Sequence, residues 1–395
     1  MLSDSGVEIY DEVFRCNELY RIGIIRTWDQ FLSVQEMWDA LVERHGDHEP
    51  FLCHDWFRIW LKHFQGSSEL FVAVVLRGET PVLIAPLLKK VEKYKKVAKV
   101  RKIEFIGNHH SPIKCFIFGE KEASERVESL RCLFKLIMTY FRNWDILELD
   151  SIPEELEVVP ITEQSLKANR ASYMHLFCFN DWLLENNHLS GEEYLNNRSK
   201  NLKKELKRRM KRLQELGEVN FIVGDCEDEF ETYFESYREV RVKSWKHSES
   251  DVGFLHEFRK WAMMKGWLKF TFLTVNGLPI STHIRLVAHN TAYLMESVYD
   301  KSFKEYSPTT LLRSLLMPYI IDNEKVRKID TIRGDESYKI EWTPTKRQRI
   351  GVSVFNYSIK GQFIRLLITV VVPILKRIKK LTRSDIISQQ STESP

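Results

Sequence analysis

One stretch of the sequence combines a bend with the start of a helix and is suited to binding an anion. Ala292–Tyr299 is apolar and β-prone. Pro308 suits the first position of a helix, because its φ is already helical and its missing N–H would be unpaired there. Ser307 is then a natural N-cap, with its hydroxyl accepting a first-turn amide. The amides of Thr309–Leu311 would favour a negatively charged ligand, unless this is an ordinary crossover whose helix end binds nothing.

The size and composition indicate a globular protein of two domains. A chain of 395 residues is longer than one hydrophobic core usually serves. Its hydrophobic fraction of 43% excludes a disordered chain. The net charge is only +4, so any attraction to polyanions must come from local clusters of basic residues.

The cysteines and the N-terminus favour a cytoplasmic protein. The cysteines are scattered, without a CxxC motif or zinc-finger spacing, at Cys16, Cys53, Cys115, Cys132, Cys178 and Cys226. This pattern predicts reduced thiols rather than a disulfide framework, and no metal site. The N-terminus contains acidic residues and lacks an apolar core, so a signal peptide is not expected.

In the first half, the pattern predicts two helices, a hairpin, a strand, a helix and a strand. The hairpin consists of Leu70–Arg77 and Pro81–Leu88, on either side of a short polar turn. Lys89–Lys102 is predicted to be a basic, mobile connection. A loop further on contains His109 and His110, two weak candidates for contact with an acceptor.

The second half repeats this order of elements, which indicates a tandem duplication. Its hairpin consists of Leu268–Val275 and Ile280–Val287. Arg198–Leu216 is predicted to be a helix with one apolar face, and its remaining surface is dense in lysine and arginine. That basic surface could dock an anionic acceptor such as a glycan, a lipid headgroup or tRNA, it could hold the 3′-phosphate of a nucleotide cofactor, or it could be only a solvated face.

The C-terminal region has an apolar run followed by basic residues. Phe363–Leu375 is too short to span a bilayer, and Lys376–Lys380 follows it. The run is predicted either to lie on an anionic membrane surface or to pack on the domain as a terminal helix. The tail beyond Leu381 is predicted to be disordered.

Several short motifs of the second half occur together in the order found in one family. They are Ser199-Lys200-Asn201-Leu202, Ser244-Trp245, Gly277-Leu278-Pro279-Ile280, Tyr299-Asp300, Tyr306-Ser307-Pro308 with Leu311-Leu312, and Gly334-Asp335-Glu336 with Tyr338-Lys339. This region resembles the CelD-type tandem acyltransferases, relatives of the GNAT acetyltransferases and of the FemAB-type aminoacyl transferases. The sequence differs from the family at Thr309, where a glycine is usual, and at Ile332, where the family has the first glycine of a Gly-x-Gly.

The resemblance implies an α/β (α+β) fold of two tandem GNAT-like domains, each a mixed, mostly antiparallel sheet flanked by helices. It also implies acetyl-CoA or another acyl-CoA as co-substrate, with direct transfer to an amine or hydroxyl. The thioester would enter beside the strand Ala292–Val298, and the following helix N-terminus would hold the pyrophosphate. The cofactor-binding residues would be Ser307, Pro308, Thr309, Thr310 and Leu311.

Seven further residues are candidates for catalysis or substrate binding. The catalytic candidates are Asp300, Glu296, Asp335 and Lys339, and the candidates for the substrate pocket are Trp245, Tyr299 and Tyr338. A carboxylate could take the proton of an amine acceptor, and the lysine could stabilise an oxyanion or hold a phosphate. The alternatives are ion pairs, turn caps and core packing. His283, in the second hairpin, is predicted to be a packed core residue.

The domain organisation and function are predicted as follows. We expect an N-terminal arm over residues 1–20, an acceptor-side domain over 21–165, a donor-binding domain over 166–358 and a basic segment over 359–395. The acceptor would be a small molecule or a glycan, such as a cell-envelope or polysaccharide component. The basic segment would place the protein at the inner face of the membrane. Two alternatives are a FemAB-like transferase that uses aminoacyl-tRNA and a non-catalytic module that binds a glycan or a membrane assembly.

Overall fold

Both halves of the described chain contain helices and strands. The structure, a computed structural model, describes residues 10–45, 50–94, 98–185, 189–246, 250–372 and 374. The elements of the first half are β1 (Glu12–Arg15), β2 (Tyr20–Ile25), α1 (Trp28–Ser33), α2 (Gln35–His45), α3 (His54–Phe64), β3 (Glu69–Leu70), β4 (Val72–Arg77), β5 (Thr80–Ala85), β6 (Leu87–Tyr94), β7 (Ala98–Phe105), β8 (Ile117–Phe118), α4 (Ala123–Thr139), β9 (Ile146–Pro153) and α5 (Val158–Ala168). Those of the second half are β10 (Ser172–Glu185), α6 (Gly191–Asn196), α7 (Lys200–Gln214), β11 (Val219–Gly224), α8 (Phe230–Val242), α9 (Val252–Met264), β12 (Leu268–Val275), β13 (Leu278–Ala288), β14 (Thr291–Tyr299), α10 (Pro308–Tyr319), β15 (Lys328–Arg333), β16 (Thr345–Phe355) and α11 (Ile359–Leu366).

The strands form a mixed α/β architecture in which one sheet runs through both halves. Within the described residues this sheet has the order β11-β12-β13-β14-β15-β10-β16-β9-β7-β6-β3. Strand β16 joins the halves, since it pairs with β10 on one side and β9 on the other. A second sheet, of order β1-β2-β4-β5-β8, belongs to the first half. The predicted mixed, mostly antiparallel sheets flanked by helices are confirmed. Part of the predicted N-terminal arm contributes strand β1, and residues 1–9 lie outside the described residues.

Both predicted hairpins are confirmed. In the first, Arg77 of β4 lies opposite Thr80 of β5. In the second, the turn between β12 and β13 contains Asn276 and Gly277, with φ values of 49° and 80°. Positive φ at both central positions is typical of the tight hairpin turn that an Asn-Gly pair favours.

The prediction of a mobile connection at Lys89–Lys102 is wrong. Most of this segment belongs to β6 and β7, which pair with each other in an antiparallel hairpin. Lys102 is buried, and its ammonium lies 2.6 Å from a carboxylate oxygen of Glu104 and 2.7 Å from one of Glu148. These carboxylates compensate the buried charge, and Glu148 comes from a strand distant in sequence.

Helix α10 packs behind β13 and β14 as its apolar stripe predicts. Leu311, Leu312 and Leu316 are buried. Pro318 lies inside the helix, and a π-helical turn at Ile320–Glu324 follows it. The missing N–H of a proline removes one helical hydrogen bond, so an irregularity at this point is expected.

The prediction that all the cysteines are reduced is wrong for one pair. Cys16 and Cys132 form a disulfide, with their Cα atoms 5.7 Å apart. Their sequence separation is 116 residues, so the spacing gave no indication that the fold brings them together. Since disulfides are rare in the cytosol, the cysteines no longer favour that compartment.

The C-terminal helix packs through one face and exposes another. Ile364 of α11 and Ile368 of the following π turn are buried against the first half. The other face exposes large apolar side chains at helical spacing, namely Ile359, Phe363, Leu366, Val370 and Ile374. In the described part of the chain, no helix has the length and apolar character needed to cross a bilayer. The basic cluster at 376–380 lies outside the described residues.

Candidate functional site

A cavity lies where two parallel strands of the second half separate. Strand β14 pairs with β15 only through Thr291–Tyr293, opposite Lys328–Asp330. Beyond these residues the strands diverge, and a cavity of about 290 Å³ occupies the gap. Leu294–Ser297 of β14 and Thr331–Arg333 of β15 line its sides. The divergence leaves unpaired backbone groups of β14 available to a ligand.

Both halves of the chain contribute to this cavity. The first half provides Trp56 of α3 and, from the loop after β7, His109 and His110. The second half provides side chains from α10 and from the segment that follows β15, including Arg313 and Lys339. The cavity is therefore a cleft between the halves, a common location for small-molecule sites.

Helix α10 begins at the predicted bend, but Ser307 does not cap it as predicted. Ser307 has a φ of 50°, in the left-handed region, whereas an ordinary N-cap is extended. Its hydroxyl does not accept a first-turn amide and instead accepts a hydrogen bond from Arg209. The amides of Thr310 and Leu311 donate to the Ser307 carbonyl at 2.9 and 3.2 Å. The amide of Thr309, at the second helical position, has no intrahelical acceptor.

The basic helix α7 places two arginines at this bend. Arg209 reaches Ser307, and its Nε lies 3.3 Å from a carboxylate oxygen of Glu205 on its own helix. Arg212 lies over the ring of Tyr306 and forms an ion pair with Glu305. Positive side chains and a positive helix end thus meet at one place, which favours an anion.

Glu296 lines the cavity, but its surroundings make it a poor proton acceptor. The Tyr237 hydroxyl donates a hydrogen bond to it at 2.8 Å, and Arg241 and Arg259 form ion pairs with it. Burial alone would raise the pKa of this carboxyl, but Lys246 and the two arginines outweigh that effect and hold the pKa below its ordinary value. A carboxylate held ionised in this way accepts a proton poorly.

The two predicted aspartates lie outside the cavity. Asp300 accepts a hydrogen bond from the backbone amide of Ser302 at 2.9 Å and so caps the short helix at Lys301–Tyr306. Asp335 forms an ion pair with Lys346 at 2.8 Å, and the hydrogen bond from this lysine lowers its pKa. A helix cap and an ion pair are the structural roles that the sequence analysis gave as alternatives to catalysis.

Lys339 lines the cavity but is held by its neighbours. Its ammonium donates hydrogen bonds to the carbonyls of Thr331 and Arg333, at 3.2 and 3.0 Å. It also lies 3.1 Å from a carboxylate oxygen of Glu336. Because an ammonium has only three donors, Lys339 fixes the segment after β15 and has little capacity left for a ligand.

The predicted aromatic residues of the substrate pocket do not meet at one place. Tyr338 lines the cavity, with the Arg313 guanidinium 4.7 Å from its ring centre. Trp245 is 61% exposed, and Tyr299 is half-buried at the end of β14; neither belongs to the cavity wall.

The sequence interpretation missed His283 as a cavity residue. This histidine of β13 is 3% exposed and faces the cavity. Burial, with Arg313 and Arg285 nearby, lowers its pKa well below the usual value, so the imidazole is neutral. Its Nδ1 has no hydrogen-bond partner within the described residues. The sequence could only indicate a buried histidine in a strand, because the opening beside it depends on where β15 lies.

Comparisons with known proteins agree with this geometry. Residues 200–340 match the family model described as an acetyltransferase (GNAT) domain. The structure is similar to the crystal structure of FemX, with a TM-score of 0.55 and 11% identity over 84% of this chain and 98% of that chain. It is also similar to a conserved protein of unknown function from Bacteroides thetaiotaomicron, with a TM-score of 0.51 and 10% identity over 82% of this chain and 97% of that chain. Among curated proteins, a sequence comparison found no match. The second half is thus similar in sequence to GNAT acetyltransferases, and the predicted two-domain GNAT-like fold is confirmed.

Proposed function

We propose that the protein transfers an acyl group from acyl-CoA to an amine or hydroxyl of an acceptor. The observation that carries this proposal is the cavity between the diverging strands β14 and β15. Helix α10 packs behind these strands, and its N-terminus is flanked by Arg209 and Arg212. A cleft for a thioester and a nearby site for its diphosphate are what an acyl-CoA donor requires.

The donor would bind along a continuous path. Its diphosphate lies at the N-terminus of α10, where the Thr309 amide and the Arg209 guanidinium donate hydrogen bonds. Its pantetheine arm follows β14 beyond Tyr293, where the backbone no longer pairs with β15. The thioester then lies in the cavity, while the acceptor enters beside His109 and His110 of the first half.

The chemistry needs one base, and His283 is the best placed group. The acceptor nitrogen or oxygen attacks the thioester carbonyl, the C–S bond breaks, and CoA leaves as a thiolate. His283 takes the proton from the acceptor and returns it to the thiolate, so no proton is consumed overall. The His283 ring lines the cavity and its Nδ1 has no hydrogen-bond partner within the described residues, whereas Tyr237, Arg241 and Arg259 already bind the Glu296 carboxylate. Because burial lowers the His283 pKa too, the proton passes on to the thiolate and does not stay on the imidazole.

A thermal-shift experiment tests donor binding. We expect acetyl-CoA or a longer acyl-CoA to raise the melting temperature, since a ligand present at 100 times its Kd stabilises the folded state by about 2.7 kcal/mol. CoA without an acyl group is the matched control for the contribution of the diphosphate. The absence of any shift with acetyl-CoA, longer acyl-CoAs and CoA would contradict the proposal.

The second candidate is transfer from aminoacyl-tRNA, which the exposed basic surface of α7 favours. A protein that binds tRNA through lysine and arginine releases counterions, so its affinity falls steeply with salt. Binding measured at several salt concentrations separates the two donors. A steep salt dependence for aminoacyl-tRNA, together with no response to acyl-CoA, would replace acyl-CoA as the donor.

The proposal also includes the kind of acceptor and the location of the protein in the cell. We propose a small-molecule or glycan acceptor, such as a cell-envelope or polysaccharide component, at the inner face of the membrane.

The exposed apolar face of α11 supports membrane contact, because amphipathic helices of this kind bury their apolar face in the lipid interface. Sedimentation with vesicles containing anionic phosphatidylglycerol should carry down the protein, but not F363D. The L278D variant, at the exposed first residue of β13, should still sediment. Equal sedimentation of F363D and the wild type would contradict membrane contact.

A further inference from the structure

We infer that His109, His110 and Asp251 form a binding site for a divalent transition metal such as Zn²⁺. The His110 Nε2 lies 3.0 Å from the Asp251 Oδ2, and the His109 Nε2 lies 3.8 Å from the same oxygen. One ligand atom from each residue lies within 4.8 Å of the other two. A tetrahedral zinc ion with bonds of about 2.0–2.1 Å separates its ligand atoms by roughly 3.4 Å, close to this arrangement.

The convergence of two imidazoles on one carboxylate is what distinguishes this cluster from an ordinary histidine–aspartate pair. One imidazole, that of His110, suffices to hydrogen-bond Asp251. The second imidazole lies too far from that oxygen for a hydrogen bond, but its distance suits two ligands that share an ion. The two histidine rings lie side by side, with their centres 4.0 Å apart. Imidazole and carboxylate together form a ligand set that zinc accepts.

Local contacts hold His110 in place. Within the loop, the His110 amide donates to the Asn108 side chain at 3.0 Å, and the Ser111 amide donates to the Asn108 carbonyl at 3.0 Å. The His110 ring packs against the rings of Phe64 and Phe254, with centre distances of 5.9 and 5.1 Å. His110 is thus positioned before any metal arrives, which lowers the cost of binding, whereas the His109 side chain is 59% exposed and completes the site by turning toward the ion.

The third ligand comes from the other half of the chain. Asp251 immediately precedes helix α9, and its backbone is left-handed, with a φ of 61°. A metal held by this residue and the two histidines would join the halves at the mouth of the cavity, which both histidines line. Three protein ligands leave a fourth position open, as in catalytic rather than structural zinc sites. An acceptor oxygen or phosphate is the class of ligand that such a position takes.

Zinc titration of the full chain, after removal of metal with a chelator, tests this site. We expect one equivalent of Zn²⁺ to bind, and Co²⁺ in its place to give the intense visible absorption of a tetrahedral site. The H110A and D251N variants should each weaken zinc binding by more than about 10-fold. The H175A variant is the matched control, because His175 is also paired with a carboxylate, that of Glu163, but lies away from the cavity.

Three outcomes would overturn the inference. They are the absence of stoichiometric binding by the folded chain, equal zinc affinity in the wild type and D251N, and equal losses in H175A and H110A. Either of the last two would mean an adventitious ion only. Circular dichroism verifies that each variant is folded, and D251N retains the size of the native side chain in case H110A is unstable. The result does not depend on the proposed transfer reaction, because zinc binding is measured without acyl-CoA.

Discussion

The corresponding helices of the two halves differ in the charge at their N-terminal turns. In the first half, α4 follows β7 and β8, and its N-terminus carries Glu122 as N-cap and Glu125 in the first turn. In the second half, α10 follows β14; its first turn contains no acid, and Arg209 binds its N-cap residue Ser307. Acidic side chains already compensate the positive end of α4, so only α10 offers this charge to an anionic donor.

The halves also differ in where their parallel strands separate. In the first half, β7 pairs with β9 through Lys102–Glu104, near the C-terminal end of β7. In the second half, β14 pairs with β15 through Thr291–Tyr293, at the N-terminal end of β14. The rest of β14 therefore diverges from its neighbour and opens the cavity. The position of the parallel pair along the strand therefore differs between the halves, and in the second half it leaves room for the cleft.

The largest expected effect concerns the buried charges beside these strands. Lys102 is one of these in the first half, and Glu296, whose side chain is 15% exposed, is one in the second half. The E296Q substitution removes the negative charge that forms ion pairs with Arg241 and Arg259, so the free energy of unfolding should fall by about 3–5 kcal/mol. Denaturant unfolding at neutral pH measures this. E235Q, which removes an exposed ion pair, is the control and should change little.

The same variant gives a test that depends on pH. The pKa of Glu296 is lower in the folded than in the unfolded state. The stabilisation is complete above the unfolded pKa, about 4.5, and is lost as the pH falls through the folded value. Wild-type stability should therefore fall more steeply than that of E296Q on acidification below about pH 5. Parallel curves would show that the carboxylate is not stabilised by its neighbours.

A second comparison uses the buried histidine of each half. His54 is fully buried, stacks on Phe31 and bonds the Phe31 carbonyl at 2.9 Å, whereas His283 faces the cavity. If His283 is the base, H283Q should lower kcat by about 100-fold and leave the acyl-CoA Kd unchanged. Release of CoA thiol with amino sugars as probe acceptors measures the rate. H54Q should lower stability instead; equal rates in H283Q and the wild type would exclude His283 as the base.

The sequence was sufficient for features that depend on neighbouring residues. The Asn276-Gly277 turn and the helix start at Pro308 follow from local backbone preferences, and both are present. The capping role predicted for Ser307 failed because Arg209, on another helix, takes its hydroxyl. The order of helices and strands could also be predicted, because it is itself a local signal, and the family resemblance then implied the mixed α/β architecture.

Features that depend on distant residues could not be predicted. Lys102 looked like part of a solvated connection because Glu148, which helps to compensate its charge, lies in another strand. The convergence of His109 and His110 on Asp251 joins the two halves. The sequence identifies candidate bases only by residue type. The arginines that bind Glu296 lie on helices α8 and α9, and the sequence pattern predicts these helices without showing what they contact. The protonation states and partners of the site residues therefore depend on tertiary contacts, which the local sequence does not specify.

The charge difference between the two helix ends leads to a further prediction. T309E gives α10 an acidic first turn like that of α4, so the acyl-CoA Kd should rise by more than about 10-fold through repulsion of the diphosphate. Helix stability should not fall, since an acid near a helix N-terminus is favourable. E125T makes the converse change at α4 and should leave the acetyl-CoA thermal shift unaltered. Equal acyl-CoA affinity in T309E and the wild type would place the donor elsewhere.

The smallest effect is expected from the arginine that flanks this helix end. R209A removes one charge-assisted hydrogen bond to the diphosphate, so the Kd should rise by about 5- to 10-fold, which corresponds to roughly 1–1.4 kcal/mol. R208A is the matched control, because Arg208 is adjacent on α7 but is exposed and paired with Glu205 on its own helix. Titration calorimetry at two salt concentrations separates the hydrogen bond made by Arg209 from the long-range electrostatic attraction of the whole basic helix. Suppose instead that R209A and R208A lose the same affinity and that high salt abolishes their difference from the wild type. The basic helix would then attract the donor only through its overall charge. The two helix ends would differ in electrostatic potential, and Arg209 would make no specific contact with the diphosphate.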